Sequence, residues 1–301
     1  MAKPTTIDGY SSPVTDACER VLVSLLRGIG PLKESVFLIG GLTPRYLIKA
    51  RPPHVPRHAG TGDVDVVVDL KILADADAYR TLEENLKAMG FERAENDKGE
   101  KQSWRWKAEF TGAATIYLEF LADAPDVAGG KLQVLPSEGN VSALNIPHSS
   151  MVFELYDSVE ITAELLGDNG KATEVVRYAN VVSFTCLKAF ALEQRFERKD
   201  AHDLTYCLEQ AEGGIEAVHA AFHEALAGKY RETIVMALKI LASKFCNDGN
   251  SEGYEKDGAV AAARFEDDDE DEEGQRDRRI LRQRQASDLV SRIVLPLLGG
   301  V

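Results

Sequence analysis

Val36-Phe37-Leu38-Ile39-Gly40-Gly41 and, a loop later, Asp63-Val64-Asp65-Val66-Val67-Val68 are the stretches whose reading decides the fold. Each is a short apolar strand; the first closes on paired glycines and the second opens on carboxylates at i and i+2. Side chains alternate along a strand, so Asp63 and Asp65 share one face. Two carboxylates side by side repel unless a hard divalent cation sits between them, and Mg²⁺ takes oxygen ligands of this kind. Gly40 and Gly41 let an anion approach the backbone, and the helix-like stretch 42–49 behind them begins with unpaired N–H groups. A phosphate cradle beside a metal platform is what nucleotidyl transfer requires. Either half alone is common; their order, with strands on both sides, gives them meaning.

Two-metal phosphoryl chemistry calls for a third carboxylate. Thr115-Ile116-Tyr117-Leu118-Glu119-Phe120-Leu121-Ala122-Asp123 supplies Glu119 in mid-strand, with Asp123 in reserve. On a one-sided strand Ile116, Leu118 and Phe120 would face the core and Glu119 water. Its place on the third strand after the carboxylate pair favours the site.

The chain has 301 residues, 44% of them hydrophobic, enough for two domains of ordinary soluble composition. No stretch approaches the roughly 20 apolar residues of a membrane helix, and the polar start lacks the apolar core of a signal peptide. Cys18, Cys186, Cys207 and Cys246 are scattered without zinc spacing, which suits buried thiols in a reducing compartment and a cytoplasmic location. Net charge is −14, but the acidic run Glu266 to Glu273 holds eight of those charges and leaves about −6 elsewhere. That balance disfavours general nucleic-acid binding without excluding a local basic patch.

Periodicity predicts a first helix over 15–26, capped by Thr15 or Asp16, and another over 74–89. Residues 103–110 with 115–122, and 159–166 with 173–178, read as hairpins. From Val181 the pattern turns helical: 181–196, 199–210, 215–227 and 231–247. The expected division is a core over 1–180, a helical lobe over 181–247, an acidic disordered linker over 248–274 and a helical segment over 275–301.

Taken together, the strand closed by Gly-Gly and the strand headed by Asp-x-Asp resemble the signature of the polymerase-beta-like nucleotidyltransferase superfamily. The segment Leu187-Lys188 through Arg195 to Lys199-Asp200-Ala201-His202-Asp203-Leu204 resembles the Lys…Arg…Lys-Asp-x-x-Asp-Leu helices of AbiEii-type nucleotidyltransferases, the toxins of type IV toxin–antitoxin or abortive-infection systems. The resemblance spans about 36–204. It implies an α+β fold, a polymerase-beta-like core of mixed sheet and flanking helices, plus a C-terminal helical lobe. It further implies that Gly40, Gly41, Thr61, Lys188 and Arg195 bind the nucleotide and that Asp63, Asp65 and Glu119 bind Mg²⁺. Lys188 would neutralise phosphate, and Asp200 would align or activate the acceptor, with Asp203 as a second acid. The implied partners are an NTP, an RNA (tRNA) end or protein hydroxyl as acceptor, and a cognate antitoxin. The family often has Arg shortly before the Asp-x-Asp; Ala59 occupies that place, with Arg57 as substitute.

Other signals are weaker. His219 and His223 have ligand spacing but lack a third ligand, so a half-buried pair is the expectation. His202 lies off the Asp200/Asp203 face. His54 and His58 sit in a Pro-rich loop and could touch base or phosphate. Trp104 and Trp106 suit hairpin packing better than base stacking. Two other functions compete: a small-molecule, aminoglycoside-like nucleotidyltransferase, and a non-catalytic interaction module of the same fold.

Overall fold

The computed structural model describes residues 4–69, 76–109, 115–133, 141–268 and 273–300. Contacts divide the chain into two units: a sheet unit of residues 11–46 and 60–179, and a helical unit of residues 1–10, 47–59 and 180–301.

The sheet unit carries nine strands among the described residues: β1 Val36–Ile39, β2 Asp63–Val68, β3 Glu92–Glu95, β4 Lys101–Ala108, β5 Ile116–Ala122, β6 Leu132–Gln133, β7 Ala143–Asn145, β8 Tyr156–Glu164 and β9 Lys171–Ala179. Their order is β3-β4-β5-β2-β1-β9-β8, with β7 beside β5 and β6 beside β7. The sheet is mixed: β1 runs antiparallel to β2, whereas β2 is parallel to β5 and β1 to β9. The expected hairpin pairings appear as β4 against β5 and β8 against β9. The link 110–114 and residues 74–75 of the second expected helix lie outside the described residues.

Helix α1, Ser12–Gly28, starts earlier than its periodicity predicts. Pro13 opens it, since a first-turn residue needs no amide hydrogen. Thr15 therefore sits inside the helix, and its hydroxyl bonds the carbonyls of Ser11 and Thr61 instead of capping. Cys18, Val21, Leu22 and Leu25 are fully buried, packing α1 on strands β9, β8, β5 and β2. Each large apolar side chain so buried contributes about 1.5–3 kcal/mol. The helix expected over 42–49 is only a single turn, α2 Pro44–Leu47, preceded by a 3₁₀ turn at Gly40–Leu42. Pro52 and Pro53 forbid its extension. Helix α3, Ala76–Ala88, follows β2 in this unit.

In the helical unit, α4 Val181–Gln194 begins at Asn180, whose side-chain oxygen accepts from the amides of Val182 and Ser183. α5 Arg198–Glu209, α6 Gly214–Leu226 and α7 Arg231–Phe245 follow. The stretch expected as a disordered acidic linker, 248–274, instead carries a 3₁₀ turn at Gly253–Glu255 and helix α8, Asp257–Glu266. Ala259, Ala261, Ala262 and Ala263 are strong helix formers, and their small side chains let α8 lie close on α5 with Phe265 fully buried. The acidic run thus starts on structure, at Glu266; residues 269–272 of it lie outside the described residues. Helix α9, Glu273–Gly299, takes the expected C-terminal segment and runs through Pro296, burying Val290, Ile293, Val294 and Leu297.

Candidate active site

The site grows from register. Asp65 on β2 stands opposite Glu119 on parallel β5 and opposite Ile39 on antiparallel β1. Asp63 stands opposite Tyr117. Val64, Val66, Leu118 and Phe120 point into the core, which turns Asp63, Asp65, Tyr117 and Glu119 to the other, partly open face. Three carboxylates from two neighbouring strands therefore share one face, with Ile116, Leu118 and Phe120 buried on the other as on a one-sided strand.

Gly40 leaves β1 in the left-handed region, at φ +71°, and a Cβ built there would lie 1.9 Å from the Asp65 Oδ2. No other residue fits under that carboxylate. The turn before β2 is equally built. The Thr61 amide donates to the Thr15 hydroxyl at 3.1 Å, and the Thr61 hydroxyl accepts from the Asp63 amide at 3.2 Å. Thr61, expected to bind nucleotide, is 5% exposed and spends its hydroxyl on the strand entry. The Cys18 thiol donates to the Thr61 carbonyl, and burial first, then Asp63 and Asp65, push its pKa up, keeping it protonated. Arg105, on β4 opposite Glu119, brings Nε to 2.9 Å from Glu119 Oε1 and a terminal nitrogen to 4.0 Å from Asp63 Oδ1. Its guanidinium lies 4.0 Å above the Tyr117 ring. The sequence offered no signal for Arg105 beyond its charge on a strand. Asp123 is committed elsewhere: it accepts from the Ser150 amide and hydroxyl, at 3.2 and 2.6 Å.

The second group of expected residues lies in the helical unit. Lys188 is only 6% exposed, because α4 is buried nearly all round. Its ammonium donates to Asp200 at 2.7 Å and to Asp203 at 2.6 Å. Arg195 grips Asp200 with two donors, at 2.8 and 3.0 Å, and Lys199 donates to both oxygens of Asp203. Burial works against each of these charges. For Lys188 the two aspartates outweigh it and raise the pKa; for Asp203 the lysines outweigh it and hold the carboxyl well below its usual range.

His58 and His202 join this cluster, a role their sequence context did not reveal. His58 Nε2 lies 2.8 Å from Asp203 Oδ1, and burial lowers its pKa to about 4 against the pull of Asp203. His202 Nδ1 lies 3.1 Å from Glu266. His58, His202 and Asp203 bring ligand atoms within 4.8 Å of one another. A dication there would meet two ammoniums already on Asp203, so the group reads as a structural ion network. His219 Nε2 approaches the Arg292 and Ile293 carbonyls, docking α9, and Trp106 is buried as hairpin packing requires.

The donor set at Asp63, Asp65 and Glu119 is all carboxylate oxygen, the chemistry a hard dication needs, and the Gly40 cradle keeps the Asp65 carboxylate clear of a neighbouring side chain. Among the described residues no helix is long and apolar enough to cross a membrane. No curated protein matches the chain. A family model described as nucleotidyltransferase (NTP_transf_8) matches residues 20–235, a span holding both the sheet carboxylates and the Lys188–Asp203 cluster. The chain belongs to this family of nucleotidyltransferases, enzymes that typically use a divalent metal.

Proposed function

We propose that the protein is a Mg²⁺-dependent nucleotidyltransferase that moves a nucleotide from an NTP to an acceptor hydroxyl, an RNA (tRNA) end or a protein side chain, as the toxin of a toxin–antitoxin or abortive-infection system. The observation that carries the metal-dependent reading is the register of Asp63, Asp65 and Glu119 on one face beside the Gly40 turn. The toxin role rests on the resemblance of the Lys188–Leu204 segment alone.

Asp63 and Asp65 hold the cation, with Glu119 as the third carboxylate. Bound there, the cation neutralises charge on the transferring phosphoryl group and orients it. The Gly40–Gly41 backbone admits the phosphates closely, since neither residue carries a side chain. Lys188 spends two of its donors on Asp200 and Asp203, so in this reading it holds the helical cluster together rather than gripping phosphate itself.

Incubating the full chain with each labelled NTP, Mg²⁺ and total tRNA tests the reading. Label is expected on RNA or protein from one NTP, and Asp65→Asn is expected to cut the rate by about a thousandfold or more, several kcal/mol of transition-state stabilisation. Transfer by Asp65→Asn at the wild-type rate would remove the platform. Label appearing only on an added aminoglycoside would select the small-molecule alternative. No transfer and no NTP-dependent rise in Tm would select the non-catalytic module.

A further inference from the structure

Carboxylates gathered on adjacent strands repel one another in the metal-free protein, and Arg105 on β4 brings a cation beside two of them. Arg105 stands directly opposite Glu119 across the β4–β5 ladder, close to Glu119 and within reach of Asp63. Its position is built: the guanidinium rests on the Tyr117 ring, and the neighbouring Trp106, pointing to the opposite face, is buried. Arg105 itself keeps a quarter of its side chain exposed. The contact is close but badly aimed, because the Arg105 Nε–H, though buried, makes no well-directed hydrogen bond. A strong bidentate fork would hold Glu119 permanently. A close and poorly aligned ion pair can be exchanged for a better cation.

We propose that Arg105 is a positioning residue, a resident counter-ion that holds Glu119 and Asp63 in the metal-free protein and that a divalent cation must displace from Glu119. The inference rests on the metal-platform reading and adds to it the competitor that sets metal affinity. Arg105 then acts in two directions. It lowers the electrostatic cost of keeping three carboxylates together, and it weakens metal binding by the same attraction. A single positive charge about 4 Å from a carboxylate is worth about 1 kcal/mol even at the dielectric of water. Its removal is therefore visible in a binding constant.

The test reads metal binding rather than turnover. Full-length protein is stripped with chelator and titrated with Mn²⁺, an oxygen-loving dication whose free form is counted by electron paramagnetic resonance. Arg105→Gln is expected to bind Mn²⁺ at least about fivefold tighter than wild type, the equivalent of that one charge. Arg105→Lys, which keeps the charge, is expected to stay near wild type, and Asp65→Asn to lose the site. Should Arg105→Gln fail to fold, Arg105→Met, which keeps an apolar stem against Tyr117, makes the same comparison. Equal or weaker binding in the uncharged variant, with the loss in Asp65→Asn intact, overturns the role of Arg105 alone. Absence of Mn²⁺ binding in every form overturns the platform and this inference together.

Discussion

Two of the molecule's clusters of acidic and basic side chains are built on different terms. On the sheet, Asp63, Asp65 and Glu119 share a partly open face that Arg105 also approaches. In the helical unit, Lys188, Lys199 and Arg195 surround Asp200 and Asp203, the two aspartates are 1% and 0% exposed, and both oxygens of each are engaged. The first cluster keeps its carboxylates on a partly open face of the sheet. The second satisfies itself, the condition for surviving burial. Equal chemistry in sequence, a few acidic residues near basic ones, thus leads to a partly open carboxylate face in one place and a buried fastening in the other.

The comparison breaks most visibly through Lys188. Lys188→Ala is expected to destabilise the fold by about 3 kcal/mol or more, because it leaves two buried carboxylates short of a partner. Urea unfolding at neutral pH measures this. Asp65→Ala, by contrast, is expected to leave stability unchanged or slightly higher, since it removes repulsion. If Lys188→Ala unfolds at the wild-type midpoint, the helical cluster is not a fastening and the contrast collapses.

A second test uses acid. The folded pKa of His58 is lowered to about 4 from the ordinary 6.5, so between those values the unfolded chain binds the proton and the folded one does not. Stability is therefore whole above pH 6.5 and falls as pH drops toward 4, by up to about 3 kcal/mol over the window. Unfolding free energies at pH 7 and 5 should show the slope, and His58→Gln should flatten it. An equal slope in His58→Gln would place the titration elsewhere.

The smallest effect sharpens the sheet side. Gly40→Ala meets both a left-handed backbone and the Asp65 carboxylate, and is expected to cost about 1–2 kcal/mol in stability. Its Mn²⁺ affinity should fall as well, because Asp65 must move. Unchanged affinity would show that the Gly40 turn does not set the position of Asp65.

Legibility in the sequence followed range. The Gly-Gly and Asp-x-Asp strands were readable because alternation and turn chemistry act over a few residues, and the open-face position of Glu119 because its strand alternates. Arg105 was not readable: its meaning comes from cross-strand register, which no local pattern encodes. His58 and Asp203 pair across 145 residues, so a Pro-rich loop concealed a half-buried partner in the helical cluster. The acidic run masked helix α8, whose alanines argue for helix while the charges that follow argue for solvent. Thr61 kept its expected place before the carboxylates but serves the backbone, a distinction that only burial reveals.

The segment 47–59 has a consequence for the order of events in synthesis. It is packed with the helical unit through His58 on Asp203, the Tyr206 hydroxyl on the Pro56 carbonyl, and Lys49 on Glu212. It leaves the ribosome 145 residues before Asp203 exists. At ordinary translation speeds that interval is roughly 7 to 30 seconds, long against the folding time of most small domains. Residues 47–59 must therefore wait as an unattached loop while the sheet sequence that follows them, 60–179, is being made. A nascent chain stalled near residue 180 would display this loop open to proteases, and one released at full length would not.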